Sequence, residues 1–189
     1  MINKTGIKTD TKKIKSELRK VIKSRLAAVL QQHLTATGNF AALMLSAIPG
    51  WDNFRSVLLF SSMKGKGEID TMPVMETILN AKKSVFFPQI KREDLIFYRD
   101  TQTADAAGFL AAGDFPVLVI TPGLAFDQNL NRLGRGRSFY DRFFAALDAA
   151  GRNYTALGLC MNCQLVEKIP VDPWDKKMDL LLTETGFIF

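Results

Sequence analysis

The run Pro116-Val117-Leu118-Val119-Ile120 is followed closely by Pro122-Gly123, then by a loop of glycine and arginine, and then by a helix start at Ser138. An unbroken aliphatic run of this length suits a strand covered on both faces, as in a parallel sheet. Residues 131–137 hold three arginines and two glycines. Glycine lets the backbone come close to a ligand, a helix N-terminus offers free N–H groups, and arginine grips phosphate oxygens in pairs. A strand, a Gly/Arg loop and a helix N-terminus in sequence therefore suit phosphate binding. The local alternative is a solvated turn in which Ser138 and Asp141 form a capping box.

The rest of the chain alternates in the same way. Residues 10–35 read as one helix, with Ile14, Leu18, Ile22, Leu26 and Val29 on an apolar stripe and Lys12, Lys15, Arg19 and Lys23 on a second. Gly38 marks a break, and residues 40–48 read as a short second helix ending at Pro49-Gly50. Strands are expected at 56–61, 85–87, 95–98, 116–121, 154–159, 179–183 and 187–189, and helices at 71–82 and 138–150. Residues 100–114 are small, polar and rich in alanine and glycine, and read as a loop with room for one helical turn. Alternating strands and helices give one α/β domain over residues 1–189, built around a mostly parallel sheet.

Charge is distributed unevenly. The net charge is +6, yet residues 1–25 carry +7 and the remainder −1. A basic N-terminal helix suits either a polyanion such as RNA or a polyphosphate held by one helix. Residues 1–25 contain no aromatic side chain for base stacking, which ranks nucleic acid last. Apolar residues make up 47 % of the chain, which excludes a disordered protein, and no apolar run reaches the length of a membrane span. The N-terminus lacks a signal-peptide core, so a cytoplasmic location is expected. Cys160 and Cys163 form a C-x-x-C pair, but there is no other cysteine and His33 is the sole histidine, so they read as two reduced thiols.

The Gly/Arg loop is neither a P-loop nor a dinucleotide fingerprint: no Gly-Lys-Ser/Thr follows, and Phe139 stands where a third glycine would be. Gly67-Glu68-Ile69-Asp70-Thr71 follows a strand and precedes a helix, so Glu68 sits where α/β sheets bind ligands, unless Asp70 or Thr71 is simply an N-cap. Asp172, Asp175 and Asp179 suit a magnesium ion, or merely an acidic turn. No G-x-S-x-G serves His33, which reads as structural or solvated.

Taken in order, these segments resemble the 5-formyltetrahydrofolate cyclo-ligase family. The resemblance rests on Lys15-x-x-Leu18-Arg19; on Phe60-Ser61-Ser62-Met63 with Gly67 to Thr71; on Pro122-Gly123-Leu124-Ala125-Phe126-Asp127; on Asn131-Arg132-Leu133-Gly134-Arg135-Gly136 through Phe139-Tyr140-Asp141; and on Gln164-Leu165-Val166, Pro170, Asp175, Asp179 and Thr183-Glu184. It implies a three-layer α/β sandwich of the sugar-phosphate isomerase and CoA-transferase type. It also implies a reaction in which ATP phosphorylates the formyl oxygen of 5-formyltetrahydrofolate and ring closure gives 5,10-methenyltetrahydrofolate, ADP and phosphate.

Carried over by position, Lys15, Arg19, Arg132, Leu133, Gly134, Arg135, Gly136, Arg137, Ser138, Phe139 and Tyr140 would bind ATP. Of these, Arg135, Arg137 and Tyr140 would be catalytic, by positioning and charge stabilisation. Ser61, Met63, Glu68, Arg135 and Phe139 would contact the folate, and Asp141 and Asp175 would hold Mg2+. The expected partners are these small molecules, with no membrane and no nucleic acid, and the expected state is a monomer or weak dimer. The alternatives are a nucleotide-binding paralogue acting on another small molecule and an RNA or polyanion binder. The chain departs from the family pattern in three places. Ser138 replaces the usual glycine and Phe139 a common tyrosine, the loop before Glu68 is longer, and no aromatic-Gly/Asn-Ile-x-x-Pro segment precedes the central strand. The last departure predicts a weaker wall on the pterin side.

Overall fold

A computed structural model describes residues 4–63, 65–99, 109 and 114–189, with side chains from Asp10 onward. The helices are α1 (Lys4–Ala27), α2 (Gln31–Met44), α3 (Met72–Asn80) and α4 (Phe139–Ala149). The strands are β1 (Ser56–Leu59), β2 (Ser84–Lys91), β3 (Asp94–Tyr98), β4 (Val117–Thr121), β5 (Ala125–Asp127), β6 (Arg132–Leu133), β7 (Tyr154–Leu159), β8 (Leu165–Val166), β9 (Leu180–Thr183) and β10 (Gly186–Ile188).

Seven strands form a sheet in the order β10-β9-β7-β4-β1-β2-β3. The five inner strands are mutually parallel, while β10 and β3 close the edges antiparallel. Every residue of β1 and β4 is buried, which is why both are aliphatic without alternation. Val57, Leu59, Leu118 and Ile120 pack with Ile22, Leu26, Leu34 and Ile78 from α1, α2 and α3. Leu58, Val117 and Val119 pack on the opposite face with Phe143, Phe144 and Leu147 of α4. The result is the three-layer α/β sandwich expected from the sequence.

The N-terminal helices differ from the expectation. The stretch 10–35 is not one helix: α1 ends at Ala27, Leu30 is extended (φ −71°, ψ 145°), and α2 then runs straight through Gly38. Gly38 marks a close approach, not a break. A Cβ there would lie 2.0 Å from the Asp70 carbonyl oxygen, so only glycine lets α2 rest against the segment leading into α3. The helix expected at 40–48 is the end of α2 followed by a single 3-10 turn. Ile14, placed on the apolar stripe, is 45 % exposed, whereas Ile22 and Leu26 are buried.

β2 is longer than the three residues expected. Pro88 interrupts the sequence pattern, but β2 pairs with β1 only through Phe86, and beyond that only with β3. A missing N–H at residue 88 therefore breaks no inner ladder. The strands β5, β6 and β8 form a separate small sheet, too short to leave a periodic signal. Most of the loop expected at 100–114 lies outside the described residues. Within the description, Phe109 is buried against Phe86 and Phe115. Cys160 and Cys163 are free, and burial pushes both thiols above their ordinary pKa, as inert thiols require. Among the described residues no helix is long and apolar enough to cross a membrane.

From β1 the chain moves outward to β2 and β3, then returns to the other side of β1 as β4. That reversal opens a crevice beyond the C-terminal ends of β1 and β4, where open α/β sheets bind ligands. Gly38→Ala tests the helix–loop contact. Alanine favours helices by about 1 kcal/mol, but the clash should outweigh this and lower stability by about 1–3 kcal/mol in urea denaturation.

Candidate active site

The crevice is a cleft divided by one loop. On one side, a space of about 440 Å³ lies beyond β1 and β4, bordered by Phe60, Ser61, Pro122, Gly123, Glu68 and Met63. On the other, a space of about 330 Å³ is bordered by Lys12, Lys15 and Arg19 of α1 and by Asp172, Trp174 and Asp175. Arg132, Gly134, Ser138 and Asp141 border both. The wall between the two spaces is therefore the Gly/Arg loop that dominates the sequence.

That wall is held from three directions. The Arg132 side chain is almost wholly buried, and Nη2 donates to Asp141 Oδ1 at 2.9 Å. Its guanidinium lies 5.3 Å from the Tyr140 ring centroid. Arg19 Nε donates to the Gly134 carbonyl oxygen at 2.9 Å, fixing the loop to α1. Arg135 Nη2 donates to Glu68 Oε1 at 2.8 Å, while Glu68 Oε2 accepts the Met63 N–H at 2.9 Å. Glu68 is thus a held carboxylate on the cleft and not a solvated one. Arg137 and Arg142 lie 5.7 and 5.3 Å from the Phe139 ring centroid and set its orientation.

The capping reading of Asp141 does not hold. Ser138 has left-handed backbone (φ 50°, ψ 26°) and makes no side-chain cap bond, and Asp141 faces Arg132 and the Lys176 N–H instead. The αL conformation also gives the physical reason for a glycine at this position. Asp70 does act locally, accepting the Met72 N–H at 3.0 Å.

Lys15 is buried, and its Nζ donates to Asp172 Oδ2 at 2.6 Å and to Asp175 Oδ2 at 2.5 Å. Burial pulls the Arg19 guanidinium below its ordinary pKa, and the Asp175 carboxylate works against that shift. Asp179 stands apart, accepting the Ala156 N–H at 2.7 Å. His33 is exposed on α2.

Three buried side-chain polar atoms lack a hydrogen-bond partner among the described residues: Ser56 Oγ, Arg132 Nε and Tyr140 Oη. The last two flank the dividing loop, Arg132 in β6 before it and Tyr140 in the first turn of α4 after it. Burial pushes the Tyr140 phenol far above its ordinary pKa, against the opposing pull of Arg132, so it stays a neutral donor. Both atoms have almost no accessible surface, so each carries an uncompensated desolvation cost inside the wall.

The comparisons with known proteins agree with this geometry. The family model described as "5-formyltetrahydrofolate cyclo-ligase family" matches residues 11–184. The chain belongs to the 5-formyltetrahydrofolate cyclo-ligase family. It is accordingly a ligase. Similar proteins are the 5-formyltetrahydrofolate cyclo-ligases of Escherichia coli K12, 29 % identical over 86 % of this chain and 96 % of that one, and of Haemophilus influenzae, 30 % identical over 86 % and 91 %. A solved 5,10-methenyltetrahydrofolate synthetase from Mycoplasma pneumoniae shares the fold, with a TM-score of 0.73, 20 % identity, and coverage of 88 % of this chain and 96 % of that one.

Two features of the cleft were missed from the sequence. Pro88, Ile90 and Leu95, from the β2–β3 hairpin, border the larger space. They give the larger space an apolar wall. Trp174, about half exposed, borders the smaller space. An exposed tryptophan beside three aspartates was its only signal. Two stability measurements test the loop and the Lys15 clasp. Ser138→Gly should raise stability by about 1 kcal/mol by removing αL strain. Lys15→Ala should lower it by about 3 kcal/mol, because two carboxylates lose their shared cation.

Proposed function

We propose that the protein closes the ring of 5-formyltetrahydrofolate to 5,10-methenyltetrahydrofolate at the expense of ATP. The observation that carries this reading is the dividing loop itself, rich in arginine and glycine and set between a cationic space and a partly apolar one. The formyl oxygen attacks the γ-phosphorus and ADP leaves. Nitrogen 10 then attacks the activated carbon and gives up its proton, which the departing phosphate can accept, and phosphate leaves with the formyl oxygen. No protein nucleophile is needed, which suits a cleft of arginine, lysine, carboxylate and backbone N–H.

In this reading the triphosphate lies with Lys15, Arg19 and the backbone from Leu133 through Ser138. Arg132, Arg135 and Arg137 spread the charge of the moving phosphoryl group, and Tyr140 donates to a phosphoryl oxygen. The indole of Trp174 offers a flat apolar face beside them. The folate lies toward Ser61, Met63 and Phe139, where the Glu68 carboxylate accepts N–H groups from the pterin edge. Asp141 and Asp175 suit Mg2+: both are hard oxygen donors on the cationic space, and no group of three ligating side chains occurs among the described residues. Magnesium held by one or two carboxylates is completed by phosphate oxygens and water, and there it would screen the charge of the phosphates.

The test is formation of the methenyl chromophore from ATP, Mg2+ and 5-formyltetrahydrofolate. Product formation dependent on all three supports the reading, and ADP binding with no folate turnover would favour a paralogue acting on another substrate. Arg19→Ala should weaken ATP binding about tenfold, the scale of one charge-assisted contact. Asp141→Asn should abolish most turnover. Ile90→Ser should raise the KM for 5-formyltetrahydrofolate about tenfold and leave that for ATP unchanged, since it removes apolar wall from one side only. Equal effects on both substrates would contradict the divided cleft.

A further inference from the structure

Asp127 ends β5 with no exposed surface, yet its carboxylate accepts four N–H groups. Oδ1 takes the backbone N–H groups of Asn129 and Asn131, both at 3.0 Å. Oδ2 takes Asn131 Nδ2 at 3.0 Å and the backbone N–H of Ile169 at 2.8 Å. Three of these bonds close the turn between β5 and β6, in which Leu130 adopts φ 63°. The fourth reaches a segment 42 residues further along the chain. A second tie joins the same two segments, as the Met178 N–H donates to the Leu130 carbonyl oxygen at 2.9 Å.

Both joined segments lead directly to the cleft. The residue after the turn is Arg132, which bonds Asp141. The segment that starts at Ile169 carries Asp172 and Asp175, which clasp Lys15. A turn alone does not need a buried charge, and a buried carboxylate is expensive unless fully bonded. The demand for two acceptor oxygens explains it. The corresponding asparagine amide would set its own N–H groups against two of the donors.

We propose that Asp127 is a positioning residue for the nucleotide side of the cleft. By joining the Arg132 turn to the segment of Asp172 and Asp175, it sets the spacing between the Asp141 and Asp175 carboxylates and therefore the seat of a magnesium-bound polyphosphate. The inference rests on the nucleotide reading proposed above. It assigns no contact with either substrate to Asp127 itself.

Calorimetry with Mg·ADP and, separately, with 5-formyltetrahydrofolate tests it, well below each variant's melting point. Asp127→Asn should weaken Mg·ADP binding about tenfold or more, the scale of one displaced charged contact, with folate affinity unchanged. Ile78→Ala, a cavity in the helical layer away from the cleft, should lower the melting point and change neither affinity. Unchanged Mg·ADP affinity in folded Asp127→Asn overturns the proposal, as does an equal loss for both ligands. Should Asp127→Asn not fold, Asn131→Ala removes one donor and keeps the carboxylate. A drop of about threefold for Mg·ADP alone supports the proposal, and no change overturns it. Failure of the wild-type protein to bind Mg·ADP overturns the nucleotide reading and this inference together.

Discussion

Lys15 joins the two ends of the chain, donating to carboxylates 157 and 160 residues away. The helix that carries it needs this clasp. From Asp10 onward α1 buries only Ile22 and Leu26 among its apolar side chains, both in its C-terminal half, while Ile14 and Val21 are about half exposed. The middle of α1 is held against the body by part-buried Leu18 and by polar ties, Lys15 to Asp172 and Asp175 and Arg19 to Gly134. The same ties build one wall of the cleft. Stability and site geometry thus share a set of charges, so substitutions here disturb both and must be read against a stability control.

The dividing loop is where the protein departs most from local preference. Ser138 and Gly136 take positive φ, at 50° and 100°. Arg132 and Tyr140 keep buried polar atoms without partners among the described residues. The Ser138 backbone and the two unpaired atoms oppose folding, whereas Gly136 takes its positive φ at no steric cost. The Arg135–Glu68 pair ties this loop to the far side of the cleft. Both residues border the larger space, so an anion there that drew Arg135 would also change the partner of Glu68.

How much was legible in the sequence follows from the length and locality of each signal. The buried runs at β1 and β4 declared a parallel sheet because burial on both faces forces continuous aliphatics. Lys15, Arg19 and the loop from Arg132 onward, which proved to share one cleft, could be grouped by helical spacing and by family resemblance. Gly38 was misread because its reason is the Asp70 backbone, which no local pattern reports. β2 was cut short because the tolerance of Pro88 depends on which neighbouring strand is already absent. The capping reading of Asp141 gave way to Arg132, a partner nine residues distant that loop geometry brings close. The β5–β6–β8 sheet and the four bonds of Asp127 left no periodic trace at all.

The central claim is that one loop separates a nucleotide from a folate and serves both. A crystal structure with ADP, Mn2+ in place of magnesium, and 5-formyltetrahydrofolate tests it most directly. The account predicts an anomalous manganese peak beside Asp141 and Asp175, the diphosphate on the side of Lys15 and Arg19, and the pterin against Glu68 with residues 135–139 between them. Both ligands on one side of the loop, or manganese remote from both carboxylates, would contradict it.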